Sequence, residues 1–131
     1  MQREATISLR SSLYQEVTSI VEFEYGDELS LDQLAHRVSS SRRQLQRAFA
    51  EVGNTTFRQY LTGVRMDRAA EMLRSTDLTV REVAHTVGYR QPAQFAKAFR
   101  RRHGLAPSDY RAESRQFGAL DNASAPVARA A

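Results

Sequence analysis

The chain has 131 residues, with 19 basic against 15 acidic side chains for a net charge of +4, and neither cysteine nor tryptophan. A chain of this length holds one compact unit, or two very small ones sharing a helix, around a modest core. The lack of cysteine excludes disulfides and thiolate metal sites; the lack of a long apolar run or a signal-peptide core sets the expectation of a soluble cytoplasmic protein with no membrane partner.

Leu9, Leu13, Val17, Ile20 and Val21 recur at helical spacing, with Ser8 or Ser11 as candidate caps, and Tyr25-Gly26-Asp27 stops this first helix. Ser30 caps a short helix carrying Leu31, Leu34, Ala35 and Val38, which three serines interrupt at residues 39–41. A second helix runs from about Arg42, with Leu45, Ala48, Phe49 and Val52 on one stripe, to Gly53-Asn54. Thr55 or Thr56 opens a longer helix bearing Phe57, Tyr60, Leu61, Val64, Ala69, Met72 and Leu73. Thr79 caps another short helix with Val80, Val83, Ala84 and Val87, and Gly88-Tyr89 turns the chain. Pro92 suits the first turn of the next helix, which carries Phe95, Ala98 and Phe99 and ends at His103-Gly104. Pro107-Ser108 starts a last short helix through Tyr110; beyond about Phe117 the Ala-rich end reads as a disordered tail. No segment alternates as a strand does, so the chain is expected to be all-α.

The segment LAHRV at 34–38 returns as VAHTV at 83–87. At this offset of 49, Leu29 meets Leu78, Ser30 meets Thr79, Ala35 meets Ala84 and His36 meets His85. After the turn the offset becomes 50, and Leu45 meets Phe95, Ala48 meets Ala98, Phe49 meets Phe99 and Tyr60 meets Tyr110. Caps, core positions and turn all repeat. Each copy is short helix, tight turn, second helix: the helix-turn-helix pattern, whose second helix can enter a DNA major groove. A hairpin packed for stability alone, or a protein-interaction module, has the same outline.

At 100° per residue, turning Leu45 and Phe49 inward points Arg43 and Arg47 outward, with Gln46 at the side. Turning Phe95 and Phe99 inward exposes Ala93, Lys97 and Arg100, flanked by Gln94 and Ala96. No acidic residue lies between Asp32 and Glu51, nor between Glu82 and Asp109. The charge along the chain agrees. Residues 1–32 hold two Arg against seven acidic residues, a net of −5, whereas residues 33–116 hold sixteen basic against seven acidic, a net of +9. Eighteen of the basic residues are Arg, whose planar fork matches phosphate and the guanine edge. Arg and Gln for base edges, with further cations for phosphates, are what duplex readout requires. An intervening helix over roughly residues 56–74 would be about 28 Å long. Successive major-groove faces lie about 34 Å apart, so one chain can carry two reading heads, with DNA bending at a cost of order 1–6 kcal/mol if the spacing falls short.

Over about residues 29–113 the chain resembles the AraC/XylS family of bacterial transcription regulators. The resemblance is most specific in TVREVAHTVGYRQPAQFAKAFRRRHGLAPSDYR, ending in Gly104, Pro107, Tyr110 and Arg111; LSLDQLAHRVSSSRRQLQRAF and FRQYLTGVRMDRAAEML carry the first half. It implies a homeodomain-like fold of about seven helices, with two helix-turn-helix subdomains joined by a linker helix. It implies sequence-specific binding to double-stranded promoter DNA at an asymmetric bipartite site, activation through RNA polymerase, and binding as a monomer. Carried over by position, the first reading helix uses Arg43, Gln46 and Arg47 and the second Gln91, Ala93, Gln94 and Lys97, with Arg42 and Arg100 placed for phosphates.

The implied organisation is an acidic leader with a first helix over 1–28, a first helix-turn-helix over 29–55 and a linker helix over 56–76. A second helix-turn-helix with its closing helix follows over 77–116, then the tail over 117–131. Only 28 residues precede the first repeat, and the chain starts with Met, as expected of the small stand-alone MarA/SoxS-like members; a DNA-binding fragment of a larger effector-responsive regulator is the alternative.

Two departures from the family stand out. Ser39 replaces a usual Gly, matching Gly88 of the second copy; if a positive φ is needed there, it costs on the order of 1 kcal/mol. Pro92 and Ala93 offer few donors, so the second head is expected to read shape, a thymine methyl or backbone. The same unit occurs in the Ada-type methyl-transfer protein, whose chemistry needs a cysteine acceptor. No paired-carboxylate, nucleophile–base or phosphate-loop motif is present, so neither enzyme activity nor a cofactor is expected. His36 and His85 point outward without companions for a metal, and the reading helices lack the stacking aromatics of single-strand RNA readers.

Overall fold

The computed structural model describes the backbone of residues 2–124 and the side chains of 5–118. Over these residues it has seven α-helices and no strand: α1 (Gln2–Glu24), α2 (Leu31–Arg37), α3 (Arg42–Glu51), α4 (Phe57–Ser75), α5 (Val80–Thr86), α6 (Pro92–His103) and α7 (Pro107–Ser124). They divide into two compact units at the Arg65–Met66 bond, inside α4. No helix among the described residues is long and apolar enough to cross a membrane.

In the first unit, Leu13, Val17 and Val21 recur every four residues and so line one stripe of α1. They are buried with Leu34 and Ala35 of α2, Leu45, Ala48 and Phe49 of α3, and Leu61 of α4. Phe49 is the hub: its ring meets Tyr14 at 5.1 Å, Tyr60 at 5.7 Å and Phe57 at 5.8 Å, two of them edge-on, the arrangement aromatic quadrupoles favour. The Tyr60 hydroxyl donates to Glu22 Oε1 at 3.2 Å. Burial, and then the Glu22 charge, push this phenol up to about 12, so it remains a donor.

Two boundaries differ from expectation here. Ser8 and Ser11 lie inside α1, which already runs from Gln2, because Gln, Glu and Ala before them are good helix formers. At the end of α3 it is Asn54, at φ 50°, that enters the left-handed region, which Asn tolerates. Gly53 has another role: a Cβ there would stand 2.6 Å from the Tyr14 ring.

In the second unit, Met66, Ala69, Ala70 and Leu73 of α4 are buried with Val83, Ala84 and Val87 around α5, and Phe95 and Phe99 of α6. Rings run in a chain from Tyr89 to Phe95, Phe99 and Tyr110 at spacings of 5.8, 5.8 and 5.2 Å. Arg102 holds α6 to α4 by donating through Nε and Nη2 to the two Asp67 oxygens at 2.7 and 2.8 Å. These hydrogen bonds, despite some burial, hold the Asp67 carboxyl below its ordinary range. Arg111 donates to Leu73 O at 3.0 Å and Thr76 O at 3.1 Å, satisfying carbonyls at the end of α4. The last helix is longer than expected: α7 continues past Tyr110 and Phe117 to Ser124, through Arg, Ala, Glu and Gln, which favour helix. The remainder of the expected tail, 125–131, lies outside the described residues.

The internal repeat extends further than the helix-turn-helix. At the offset of 49, Val17 and Val21 of α1 coincide with Met66 and Ala70 of α4, all buried. At the offset of 50, Arg65 coincides with Arg115: Arg65 Nη2 donates to Asp27 O at 2.9 Å, and Arg115 Nη2 donates to Thr76 O, also at 2.9 Å. Asp27 and Thr76 are themselves 49 apart. Each copy therefore has an opening helix, a helix-turn-helix and a closing helix strapped back by an arginine. α4 serves as closing helix of the first and opening helix of the second.

Candidate nucleic-acid interface

Serine and threonine caps set where each short helix begins. Ser30 accepts from Gln33 N at 3.1 Å and Ser41 from Gln44 N at 3.2 Å. Thr79 and Glu82 form a reciprocal capping box, each accepting at 3.0 Å. α6 has no side-chain cap at Gln91 and starts instead on Pro92, whose ring presets the helical φ.

The two turns match in detail. Ser39 N donates to His36 O and Ser40 N to Ala35 O, at 3.2 and 2.8 Å; Gly88 N donates to His85 O and Tyr89 N to Ala84 O, at 3.0 and 2.9 Å. Ser39 has φ 54° and Gly88 φ 101°, so the position is left-handed in both copies and serine bears its steric cost. Replacing Ser39→Gly should relieve about 1–2 kcal/mol of that cost and return part through unfolded-state entropy. The expected net gain is about 0.5–1 kcal/mol, read as a higher urea midpoint at constant m-value; an unchanged or lower midpoint would contradict it.

Phe49 and Leu45 point α3 inward, and Arg42, Arg43, Gln46 and Arg47 are exposed along it; Phe95 and Phe99 do the same for α6, exposing Gln91, Ala93, Gln94, Lys97 and Arg100. Four candidates thus share one helix in the first unit and five lie on or at the start of one helix in the second. Among the described residues, no hydrogen bond or ion pair engages the side chains of Arg43, Arg47, Lys97 or Arg100. Arg42 differs: its Nη1 lies 3.3 Å from Asp32 Oδ2. It sits only 40° from the inward direction on the helix wheel, which turns it toward α2. Both partners are well exposed, and such a pair is worth at most about 1 kcal/mol, so Arg42 exchanges readily. Glu51, the acid at the other end of α3, is paired with Arg10.

Arg101 was missed. Its side chain is exposed and without a partner among the described residues, and it lies 40° from the fully outward direction of α6, nearer to it than Arg100 at 60°. The run RRRH at 100–103 hid the split: Arg102 turns in to Asp67 while Arg101 stays out. His36 and His85 are exposed; no group of three metal-ligating side chains occurs among the described residues.

A helix-turn-helix domain family matches residues 34–113. Among curated relatives, an ornithine utilization regulator of Pseudomonas aeruginosa is 35% identical over 107 residues, covering 82% of this chain and 31% of that protein. The Msm operon regulatory protein of Streptococcus mutans is 29% identical over 110 residues, covering 84% of this chain and 40% of that one. The chain thus spans well under half the length of these relatives. Two solved structures superpose with TM-score 0.75: the DNA-binding domain of AdpA in complex with a target DNA, 31% identical over 79% of this chain and 93% of that one, and an AraC-type transcriptional regulator from Chromobacterium violaceum, 27% identical over 79% and 92%. With the duplicated helix-turn-helix and its outward cationic helices, these matches establish that the chain belongs to the AraC-type helix-turn-helix family of DNA-binding transcription regulators.

Proposed function

We propose that the protein binds an asymmetric, bipartite promoter site in double-stranded DNA, with α3 and α6 each entering a major groove. The observation that carries this is the pair of outward helix faces, one per unit, on which Arg43, Arg47, Lys97 and Arg100 have no intramolecular partner among the described residues. An unpaired guanidinium is free to make the bidentate contact to guanine or a charge-assisted contact to phosphate. The two faces differ in sequence, so the site is asymmetric. Arg43, Gln46 and Arg47 read bases for the first head. Gln91, Ala93, Gln94 and Lys97 serve the second, with Arg42 and Arg100 on phosphates. One chain carries both heads, so a monomer suffices on DNA. Activation through RNA polymerase, in the cytoplasm, completes the proposal.

Selection of the purified chain against a random duplex library at stated salt tests it. Two unlike blocks about one helical turn apart are expected. A single short block would remove one head from base readout, and no enrichment would remove sequence-specific binding by this chain. Arg100→Ala should weaken binding to all duplexes alike and make the salt slope shallower by about one unit. A loss confined to one base pair would instead make Arg100 a base reader.

A further inference from the structure

Each repeat carries a surface groove beside the first helix of its helix-turn-helix, and the two grooves are built on equivalent positions. The first is bordered by Glu24, Asp27, Glu28, Leu29, Asp32 and His36; the second by Leu78, Arg81, His85, Tyr89, Arg90 and Pro92. At the offset of 49, Leu29 becomes Leu78 and His36 becomes His85, so the frame is kept, but Asp32 becomes Arg81. The charge inverts. The first groove is lined by four carboxylates and one guanidinium, Arg37, which already donates to both Glu24 oxygens at 2.7 and 2.8 Å, while Asp32 is paired with the exposed Arg42 at 3.3 Å. In the second, Arg81 and Arg90 accompany one carboxylate, Glu82, which accepts the Thr79 N–H of the capping box at 3.0 Å.

Arg81 and His85 stand one turn apart on α5 and so share a face. Arg81 has no partner among the described residues. Arg90 precedes Gln91, and Pro92, the first residue of α6, forms part of the groove wall. The groove therefore opens at the start of the second reading helix, beside any duplex that helix enters. Two guanidiniums with an imidazole and a phenol next to them suit a doubly oxygenated monoanion.

We infer that the groove bordered by Arg81, His85 and Arg90 seats a backbone phosphodiester of the bound duplex, and that its acidic counterpart in the first unit seats none. The second head thereby gains a backbone anchor beyond Arg100, which compensates the poor donor set of Pro92 and Ala93, while the first head has Arg42 on phosphate and no counterpart of this groove. This inference rests on the DNA-binding reading above.

The test uses the whole chain, with affinity for the selected duplex and for a random duplex measured from 50 to 200 mM salt. Arg81→Gln and Arg90→Gln are each expected to make the log–log salt slope shallower by roughly 0.9, with equal loss on both duplexes. Arg81→Lys should keep the slope, which separates a charge contact from a folding defect. Asp27→Asn in the acidic groove should leave slope and affinity as they are. Unchanged slopes in both Gln variants, or a tenfold gain from Asp27→Asn, would overturn the inference. So would inorganic phosphate perturbing the Tyr89 amide resonance while the duplex slopes of the variants stay at the wild-type value, since the groove would then serve a free phosphate. A wild-type chain that binds no duplex would instead defeat the DNA-binding reading itself.

Discussion

Phe49→Ala should destabilise the protein by about 3–5 kcal/mol, the largest effect expected of a single substitution. Phe49 is fully buried and touches the rings of Tyr14, Phe57 and Tyr60, which come from α1 and α4. Truncation removes apolar area and three aromatic contacts at once. The surrounding rings are too rigid to fill the gap, so a cavity term adds to the transfer term. Against a typical domain stability of about 5–15 kcal/mol, such a loss takes the first unit close to unfolding. Urea denaturation checks it; a loss under about 1 kcal/mol would show that the four rings do not pack as a unit. Because α3 carries Phe49 on one side and Arg43 and Arg47 on the other, DNA affinity should fall with stability, even though Phe49 reaches no surface.

Arg43→Ala should cost about 1–3 kcal/mol of specific binding and relax the preference at one base pair of the site. Arg43 lies in the first turn of α3, where helix-turn-helix recognition helices meet base edges, and no intramolecular partner competes for its guanidinium among the described residues. Stability should hardly change, since the residue is exposed. The measurement is a competition series over single-base variants of the selected site. Loss spread evenly over all variants would make Arg43 a phosphate contact; unchanged affinity and motif would remove it from the interface.

The fold was legible wherever period and punctuation agreed. Leu45 with Phe49, and Phe95 with Phe99, fix the inward faces of the two second helices, so the outward cations follow by angle. Ser30 and Thr79 cap where their residue type implies, and the last of the three interrupting serines, Ser41, turns out to cap α3. What escaped depended on contacts between elements. Nothing local to Arg42 reveals that Asp32 approaches it, and nothing local to Arg65 or Arg115 marks them as straps on backbone carbonyls rather than surface charges. α7 outran its expected end because apolar periodicity fades after Tyr110 while helix propensity does not. Ser39 shows the limit of residue preference: hydrogen bonding on both sides of the turn imposes a left-handed backbone on a residue that disfavours it.

The double duty of α4 has a consequence for anyone who would separate the two heads. No cut gives each unit a whole flanking helix. Severing the chain at the Arg65–Met66 bond splits a 19-residue helix into pieces shorter than the roughly 12–15 residues that hold helical form unaided. It also strips up to four carbonyls from partners on one side of the break and up to four amides on the other. The units are compact in space yet inseparable in the gene: either half expressed alone would have to borrow a duplicate of residues 57–75, so the minimal single-headed versions of this protein overlap in sequence by one entire helix.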